Sequence, residues 1–342
     1  MDMKRIGLFA AAIIVASAAA SQAQAQDFYK GKRLTVIAGS GVGGSYDLYA
    51  RLLADSIGKF IPGNPNVVVE NRVGAGSRLA MNYLYRQAPK DGTVIGLGTN
   101  LLPFDQFVFP EAARQYDITK FQYLGNMASL NGVIAVWHTT GVKAFEDVKN
   151  KEVILGANSR VSETYIIPAV LNAIAGTKFK IVHGFPGNVS EIDLAIERGE
   201  VFARGGSWAS FRISQAEWVK SGKIIPIVQN GSKRSAELPD VPLLIELAQN
   251  DEQRAIFNLL MSGSVFSRAF AAPPEVPAAQ MAILRKAFMD TLQNKEFVEA
   301  AEKRGFEISP STHVELEKVI AEVQSSVKPE FLAKIRPILQ QE

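Results

Sequence analysis

The sequence predicts an α/β fold with two blocks of alternating strands and helices that face each other across a cleft. Short β-branched, apolar runs, which suit buried strands, alternate with runs whose apolar residues have helical spacing. This alternation occurs first around residues 33–100 and again around residues 133–228. Glycine-rich or polar segments follow the strand-like runs, and ligands in such sheets bind beyond the carboxyl ends of the strands.

The first 25 residues are typical of a cleavable export signal. Lys4 and Arg5 precede an apolar, alanine-rich stretch at 6–20, and an A-x-A cleavage site follows at 23–25. An uncleaved N-terminal anchor is the alternative. The chain has no cysteine, so we expect neither disulfides nor a lipid anchor. We therefore predict a free periplasmic protein whose mature chain begins near Gln26.

The composition argues against several classes of function. The net charge is only +3 and no lysine- or arginine-rich block stands out, so we expect no nucleic-acid partner. The three histidines are scattered and cysteine is absent, so we predict no metal site and no cofactor. No G-x-S-x-G motif occurs, and nothing else in the sequence indicates catalysis. We therefore expect a protein that is not an enzyme.

The first block opens with a strand, a glycine loop and a helix. The strand is predicted at 34–38, and the helix that follows has its apolar stripe at positions 48, 52, 53 and 57, with Asp47 or Ser45 as the cap. A loop of this kind presents free backbone N–H groups and the positive end of a helix dipole, which together receive an anion. The glycines of the loop are Gly39, Gly41, Gly43 and Gly44.

Two further strands repeat this arrangement. The strand at 67–70 ends in a glycine loop at 71–77 before a helix at 78–87, and the strand at 93–98 ends at Thr99 and Asn100. The alternation favours a parallel sheet, so the three loops should converge on one crevice.

The second block carries polar loops of the same kind. Strands are predicted at 133–137, 153–155, 179–182, 201–203 and 224–228, with the main helices at 163–175 and 191–198. A guanidinium in the loops could hold a carboxylate through two parallel hydrogen bonds, and an aromatic ring could stack on an apolar ligand. For each arginine the alternative is a solvated surface position. The candidate ligand-binding residues on these loops are Asn158, Ser159, Arg160, Ser162, Phe185, Arg204, Ser207 and Trp208.

The remainder of the chain is predicted to return to the first domain. Residues 264–270 are strand-like, and a structural salt bridge is the first expectation for Arg268 within them. Four helices, at 278–294, 295–304, 312–325 and 329–339, should pack on the first sheet. The predicted division is a signal at 1–25, a first domain at 26–125 and 235–342, and a second domain at 126–234.

Several motifs, in order along the mature chain, resemble those of one family. VGGSYD at 42–47 with AR at 50–51 is similar to its PAGGxxDxxAR, and VVENRVGAG at 68–76 is similar to its VVENRPGAGG. GTN at 98–100 resembles the end of the family motif DGYTLLLGTN. KRSAELPDVP at 233–242 resembles the family motif KRSPALPDVPT, and AAPPEVP at 271–277 resembles the family motif APAGTP. The family is that of the periplasmic solute-binding receptors of tripartite tricarboxylate transporters, also called Bug-type receptors.

The resemblance implies a two-domain, type II-like Venus flytrap that captures a small organic carboxylate in its cleft. It also implies delivery of that ligand to the membrane components of a tripartite transporter, and we expect a monomer. Carried over by position, the ligand-binding residues of the first domain are Gly43, Gly44, Ser45, Tyr46 and Asp47, with Gly76 nearby and Thr99 and Asn100 on the third loop.

The second domain departs from the family pattern in its loops. ANSRVSE at 157–163 replaces a small Gly/Ser-rich loop, HGFPG at 183–187 replaces VPYKG, and GEVFAR at 199–204 replaces a GGQVDV-like strand. The identity of the carboxylate therefore stays open among citrate-like, dicarboxylate, amino-acid and aromatic acids.

Two alternative functions remain open from the sequence. Gly39, Gly41 and Gly44 form a G-x-G-x-x-G pattern, and Glu70 ends the second strand as a ribose-binding acid would, which favours an exported dinucleotide-binding enzyme. Glu70 lies farther from the glycines than the usual spacing of about 20 residues. A carboxylate-sensing receptor for signalling would need the same cleft as a transport receptor.

Overall fold

The computed structural model describes residues 27–109, 114–185, 189–327 and 329–340, which form two α/β lobes. The predicted export signal at 1–25 lies outside these residues. The strands are β1 (Arg33–Ala38), β2 (Asn66–Asn71), β3 (Val94–Leu97), β4 (Gln122–Asn126), β5 (Gly132–Trp137), β6 (Val153–Ala157), β7 (Phe179–His183), β8 (Ala203–Ser207), β9 (Ile224–Asn230), β10 (Ala269–Ala272) and β11 (Ser311–Thr312).

The helices lie between these strands and after them. They are α1 (Ser45–Ile57), α2 (Arg78–Arg86), α3 (Leu102–Val108), α4 (Asp147–Asn150), α5 (Glu163–Ala175), α6 (Ser190–Glu197), α7 (Trp208–Ser214), α8 (Ala216–Lys220), α9 (Asp251–Val265), α10 (Ala278–Gln293), α11 (Lys295–Lys303), α12 (His313–Ser326) and α13 (Pro329–Gln340). In the segments that the structure describes, none of the helices combines the length and the apolar character that crossing a membrane requires.

The first sheet has the strand order β11-β4-β10-β3-β1-β2. β1 is parallel to β2 and β3, as predicted, with Thr35 opposite Val68 on one side and Val94 on the other. β10, however, is antiparallel to both β3 and β4, so the sheet is mixed and not purely parallel. Because β10 runs in the opposite direction, its first residues lie at the same edge as the carboxyl ends of β1, β2 and β3.

The second sheet has the order β7-β6-β8-β5-β9 and is also mixed. β6 is parallel to β7 and β8, whereas β5 is antiparallel to β8 and β9. Gly132 at the start of β5 therefore pairs with Ser207 at the end of β8 and with Asn230 at the end of β9. The same edge of this sheet thus gathers the end of β8 and the beginning of β5.

Two strand predictions are wrong. Residues 264 and 265 belong to α9, which begins after Asn250, whose side chain accepts a hydrogen bond from the Gln253 N–H (2.9 Å). The cap and the buried helical face with Phe257 and Leu260 outweigh the β-like composition, and the strand starts only at Ala269. β8 spans 203–207 and not 201–203, so Arg204 lies within a strand and not on a loop.

The last helix also departs from its predicted position. α10 and α11 pack on the first sheet, with Leu284 and Phe288 in the same core cluster as β1 and β3 residues. α13 instead packs against α5 of the second lobe, and Ile335 and Leu339 join the core that includes Leu155 of β6. The residues of α3 and α9 contribute to this same core, so a layer of helices joins the two sheets on one side.

Candidate functional site

A cavity of about 310 Å³ lies where the loops of the two sheets meet. The first lobe contributes the segments after β1, β2 and β3 and the residues just before β10. The second lobe contributes the segment between β6 and α5, Phe185 after β7, and the junction of β8 with α7. The predicted crevice therefore receives residues from both blocks, and the mixed direction of the sheets explains why β10 contributes as well.

The opening glycine loop is held by Asp47. The Asp47 carboxylate is fully buried and accepts hydrogen bonds from the Gly43 N–H (2.8 Å), the Asn71 side-chain amide (2.8 Å) and the Arg51 guanidinium (2.9 Å). Burial opposes ionisation, but the Arg51, Gly43 and Asn71 hydrogen bonds outweigh it and lower the pKa of Asp47. Neither Asp47 nor Gly43 lines the cavity. The structure therefore gives both residues a role in holding the loop.

Helix α1 begins beside the cavity without a side-chain cap. Gly44 is its N-cap, and the expected caps Ser45 and Asp47 lie inside the helix. The N–H groups of Gly43 and Gly44 are used within the protein, by Asp47 and by the Gly41 carbonyl (3.2 Å). The N–H groups of Ser45 and Tyr46 belong to the first turn, which has no intrahelical acceptors. Of the backbone N–H groups predicted to bind an anion, those of Ser45 and Tyr46 are therefore the remaining candidates.

The second glycine loop brings the two lobes into contact. Gly76 has a φ of 61°, and a Cβ at this position would lie 3.1 Å from both the Val161 carbonyl oxygen and its Cγ2. Val161 belongs to the loop before α5, so a side chain at Gly76 would both press against the opposite side of the cleft and adopt a strained φ. The hydroxyl of Ser77 donates to the Gly39 carbonyl (2.8 Å), which ties this loop to the first one.

The third loop forms a pair with Tyr46. The Tyr46 hydroxyl donates to the Asn100 side-chain oxygen (3.0 Å) and accepts from the Asn100 N–H (3.0 Å). Burial raises the pKa of Tyr46, so the phenol keeps its proton. Because that proton is directed to Asn100, Tyr46 has no second hydroxyl hydrogen to donate to a ligand.

The loop between β6 and α5 is ordered by short-range hydrogen bonds. The Ser159 N–H donates to the Ser162 hydroxyl oxygen (3.2 Å), and the Ser162 hydroxyl donates to the Ser159 carbonyl (2.6 Å). The Asn158 amide donates to the Phe185 carbonyl (3.1 Å), which joins this loop to the one after β7. Ser162 is the N-cap of α5, so the start of a 13-residue helix lies at the cavity.

Of the predicted ligand-binding residues, most lie together at the cavity and five do not. Those that line it are Gly44, Ser45, Tyr46, Gly76, Thr99, Asn100, Asn158, Ser159, Ser162, Phe185 and Ser207. Those that do not are Gly43, Asp47, Arg160, Arg204 and Trp208.

The three outliers in the second lobe have other partners. Arg204 is completely buried and forms an ion pair with Asp193 of α6, while its guanidinium lies 3.8 Å from the centroid of the Phe211 ring. The Trp208 indole N–H donates to Glu237 (2.5 Å), and the Arg160 guanidinium lies 5.7 Å from the Tyr165 ring centroid. Arg204 and Trp208 thus serve the packing of the second lobe.

Two charged residues at the cavity were not predicted as ligand-binding residues. Arg268 lies just before β10, and Glu163 is the first residue of α5. The predicted salt bridge of Arg268 is absent: no ion pair of the described residues includes it. The sequence signal for this result is the lack of any Asp or Glu between residues 253 and 274, which leaves Arg268 no local partner.

Burial raises the pKa of Glu163 above its usual 4.5, although the amides of Asn100 and Asn230 and the charge of Arg268 act in the opposite direction. The folded protein therefore binds this proton more tightly than the unfolded chain. The resulting stabilisation is complete below pH 4.5 and is lost as the pH rises through the folded-state pKa.

We expect the ligand-free Glu163→Gln variant to be more stable than wild type at neutral pH, with a difference that shrinks as the pH falls towards about 4. The measurement is the melting temperature of both proteins across this pH range. Glu191→Gln, at an exposed position on α6, is the matched control and should follow wild type. A pH-independent difference between Glu163→Gln and wild type would contradict the prediction.

Glu70, the acid that a dinucleotide-binding enzyme would use to bind a ribose, lies outside the cavity. Glu70 at the end of β2 is 45% exposed in its side chain and pairs with Arg72 (2.7 Å).

Comparison with known proteins agrees with the resemblance of the motifs. A family model described as "Tripartite tricarboxylate transporter family receptor" matches residues 49–332. A Cupriavidus necator protein named "UPF0065 protein in gbd 5'region" is 27% identical over 260 residues, which cover 73% of this chain and 75% of that protein.

Solved structures confirm the two-lobe binding-protein fold. The structure of R. palustris Rpa4515 with adipate has a TM-score of 0.70 and 17% identity, and the match covers 90% of this chain and 97% of that one. The structure of the periplasmic binding protein BugD has a TM-score of 0.68 and 19% identity, with 91% and 98% covered. At these identities the likeness demonstrates the fold.

Proposed function

The chain belongs to the tripartite tricarboxylate transporter receptor family, and on that premise we propose that it is a solute-binding receptor for a small organic carboxylate. The ligand is held between the lobes and passed to the membrane components of a tripartite transporter. The protein acts without catalysis, as a periplasmic monomer released by cleavage of the leader. The adipate in the R. palustris relative supports the carboxylate class.

The observation that carries this proposal is the composition of the cavity between the lobes. Its lining includes Ser45 and Tyr46 of the first turn of α1, the serines of the loop before α5, and Arg268. Helix N-termini and charged donors together favour a carboxylate. We propose that the ligand contacts both lobes, 26–125 with 235–342 and 126–234, and so stabilises their closed arrangement.

The test is a thermal-shift screen of the purified protein with adipate, succinate, citrate, glutamate and benzoate. A probe at 100 times its Kd should stabilise the protein by about 2.7 kcal/mol, which corresponds to a rise in melting temperature of about 4 °C for a chain of this length. The Gly44→Trp variant, which fills the cavity, should lose this rise. Gly44 has φ −71° and ψ 158°, so the backbone accepts a tryptophan without strain.

The matched control is Val314→Trp, which adds the same side chain at a 61% exposed position outside the cavity. It should respond to the probe like wild type. An equal rise in Gly44→Trp and wild type would reject this cavity as the site, and no rise with any carboxylate would reject the receptor proposal. Capture of a membrane transporter or of a sensor kinase by the liganded protein separates transport from signalling.

A further inference from the structure

The cavity contains one positive and one negative side chain, on opposite lobes. Among the lining residues that the structure describes, Arg268 and Glu163 are the only members of the Lys, Arg, His, Asp and Glu group. Arg268 precedes β10 of the first sheet, and Glu163 begins α5 of the second lobe. The two are not within ion-pair distance of each other, but the charge of Arg268 influences Glu163. Because both residues line the same cavity, a ligand bound there lies beside each of them.

Arg268 is a buried cation without a carboxylate partner. Its side chain is 2% exposed, and the guanidinium lies 4.2 Å from the Tyr46 ring centroid and 4.7 Å from that of Tyr49. Its hydrogen bonds go to the hydroxyl of Ser45 and to the Ser267 carbonyl (2.6 Å), and the Nε atom has no acceptor. A buried charge is costly unless it is paired, so an anionic ligand group would supply what the protein does not.

The hydrogen-bond partners of the Glu163 carboxyl group are neutral amides. Its Oε1 accepts a long hydrogen bond from the Asn230 amide (3.4 Å), and no ion pair in the described parts of the chain includes it. A Cβ on Gly132 would lie 2.8 Å from this oxygen, so the carboxylate is packed against the start of β5. A second carboxylate placed here would be repelled, whereas a cation or a hydrogen-bond donor would be attracted.

We propose that the ligand is a small amino acid, whose carboxylate pairs with Arg268 and whose ammonium group pairs with Glu163. This inference rests on the proposed function and narrows its ligand class from carboxylates in general to zwitterions. With Glu163 ionised, the two side chains give the cavity no net charge, so a neutral zwitterion is matched at both ends. A dianion or trianion leaves at least one negative group without a cation and close to Glu163.

The experiment is isothermal titration of the purified protein with pairs of acids that differ only in the α-ammonium group. The pairs are leucine and 4-methylpentanoate, glutamate and glutarate, and phenylalanine and 3-phenylpropionate. In at least one pair the amino acid should bind wild type about tenfold or more tightly than its partner. Glu163→Gln should remove this preference by weakening the amino acid about tenfold while changing its partner by less than about threefold.

Arg268→Gln should weaken both members of the pair, and Arg268→Lys should restore part of the affinity because it keeps the charge. The unfolding midpoint of each variant establishes that it is folded, and Glu191→Gln serves as the surface control. Equal weakening of both acids in Glu163→Gln, or a 2-hydroxy acid that binds as tightly as its amino acid, would overturn the inference. Carboxylates that bind without any ammonium preference would overturn it and leave the receptor function intact, whereas no binding by any acid would reject the receptor function itself.

Discussion

Replacing Arg204 with alanine should destabilise the protein by about 3–5 kcal/mol, because it leaves the Asp193 carboxylate buried without its cation. The side chains of the pair are 0% and 4% exposed, and the Gln215 amide (3.0 Å) is the other donor that Asp193 retains. Such a loss corresponds to a fall in melting temperature of about 5–8 °C for a chain of this length. Denaturant unfolding measures it directly. The affinity of the folded fraction for a carboxylate probe should change little, since Arg204 does not line the cavity.

Two comparisons distinguish a structural pair from a ligand-binding arginine. Arg198→Ala breaks the exposed pair with Glu200 and should leave the unfolding midpoint almost unchanged. Removing both buried charges, as Arg204→Met with Asp193→Leu, should cost less than Arg204→Ala alone. Loss of probe binding in Arg204→Ala at unchanged stability would support the loop position predicted from the sequence and refute the structural role.

Replacing Asp47 with alanine should cost about 1.5–3 kcal/mol of stability and weaken carboxylate binding at the same time. The change leaves the Gly43 N–H and the Asn71 amide without their shared acceptor, so of these contacts only the bond from Asn71 to the Ser40 carbonyl (2.9 Å) still joins the glycine loop to the end of β2. The N–H groups of Ser45 and Tyr46 would then no longer be held in position for a ligand. Denaturant unfolding and titration with the best carboxylate from the screen measure the two effects.

Asp47→Asn should be nearly as damaging, because one side of an amide is a donor and would face either Gly43 N–H or the Asn71 amide. Asp55→Asn, at an exposed position of the same helix, is the matched control and should resemble wild type. Because the pKa of Asp47 is lowered in the folded protein, its ionised carboxylate stabilises the fold at any pH above its usual pKa of 3.8. This stabilisation is lost as the pH falls through the pKa of Asp47 in the folded state. If the Asp47→Ala variant were destabilised but bound the carboxylate as tightly as wild type, the glycine loop would have no role in ligand binding.

The parts of the fold that follow from local pattern were predictable. β1 to β3 and the loops after them follow from β-branched runs, glycines and helical spacing, and the loop that carries Asn158, Ser159 and Ser162 was placed correctly at the crevice. The direction of β5 and β10 depends on how the chain crosses between the lobes, which no local pattern encodes. The family, and with it the two-lobe architecture, was recognisable from ordered motifs.

The two arginines show where sequence reasoning reached its limit. Arg204 and Arg268 both lie near strand ends between small residues, and the sequence favoured Arg204 as the ligand contact and Arg268 as the structural salt bridge. The structure reverses these environments. Arg204 lies inside β8 opposite Asp193 on the neighbouring helix, whereas Arg268 reaches the cavity because β10 starts there. Both outcomes depend on tertiary neighbours that are distant in sequence.

The helical layer that joins the two sheets limits how far the lobes can part. Pulling α13 away from α5 would expose Ile335 and Leu339 to water at a cost of about 25 cal/mol for each Å² of apolar surface. Small sliding motions of α13 along α5 preserve most of that contact, so small relative movements of the lobes are favoured over their wide separation. We therefore expect the exchange of a bound solute to depend on contacts far from the cavity, since α13 holds α5, whose first residues Glu163 and Thr164 line it.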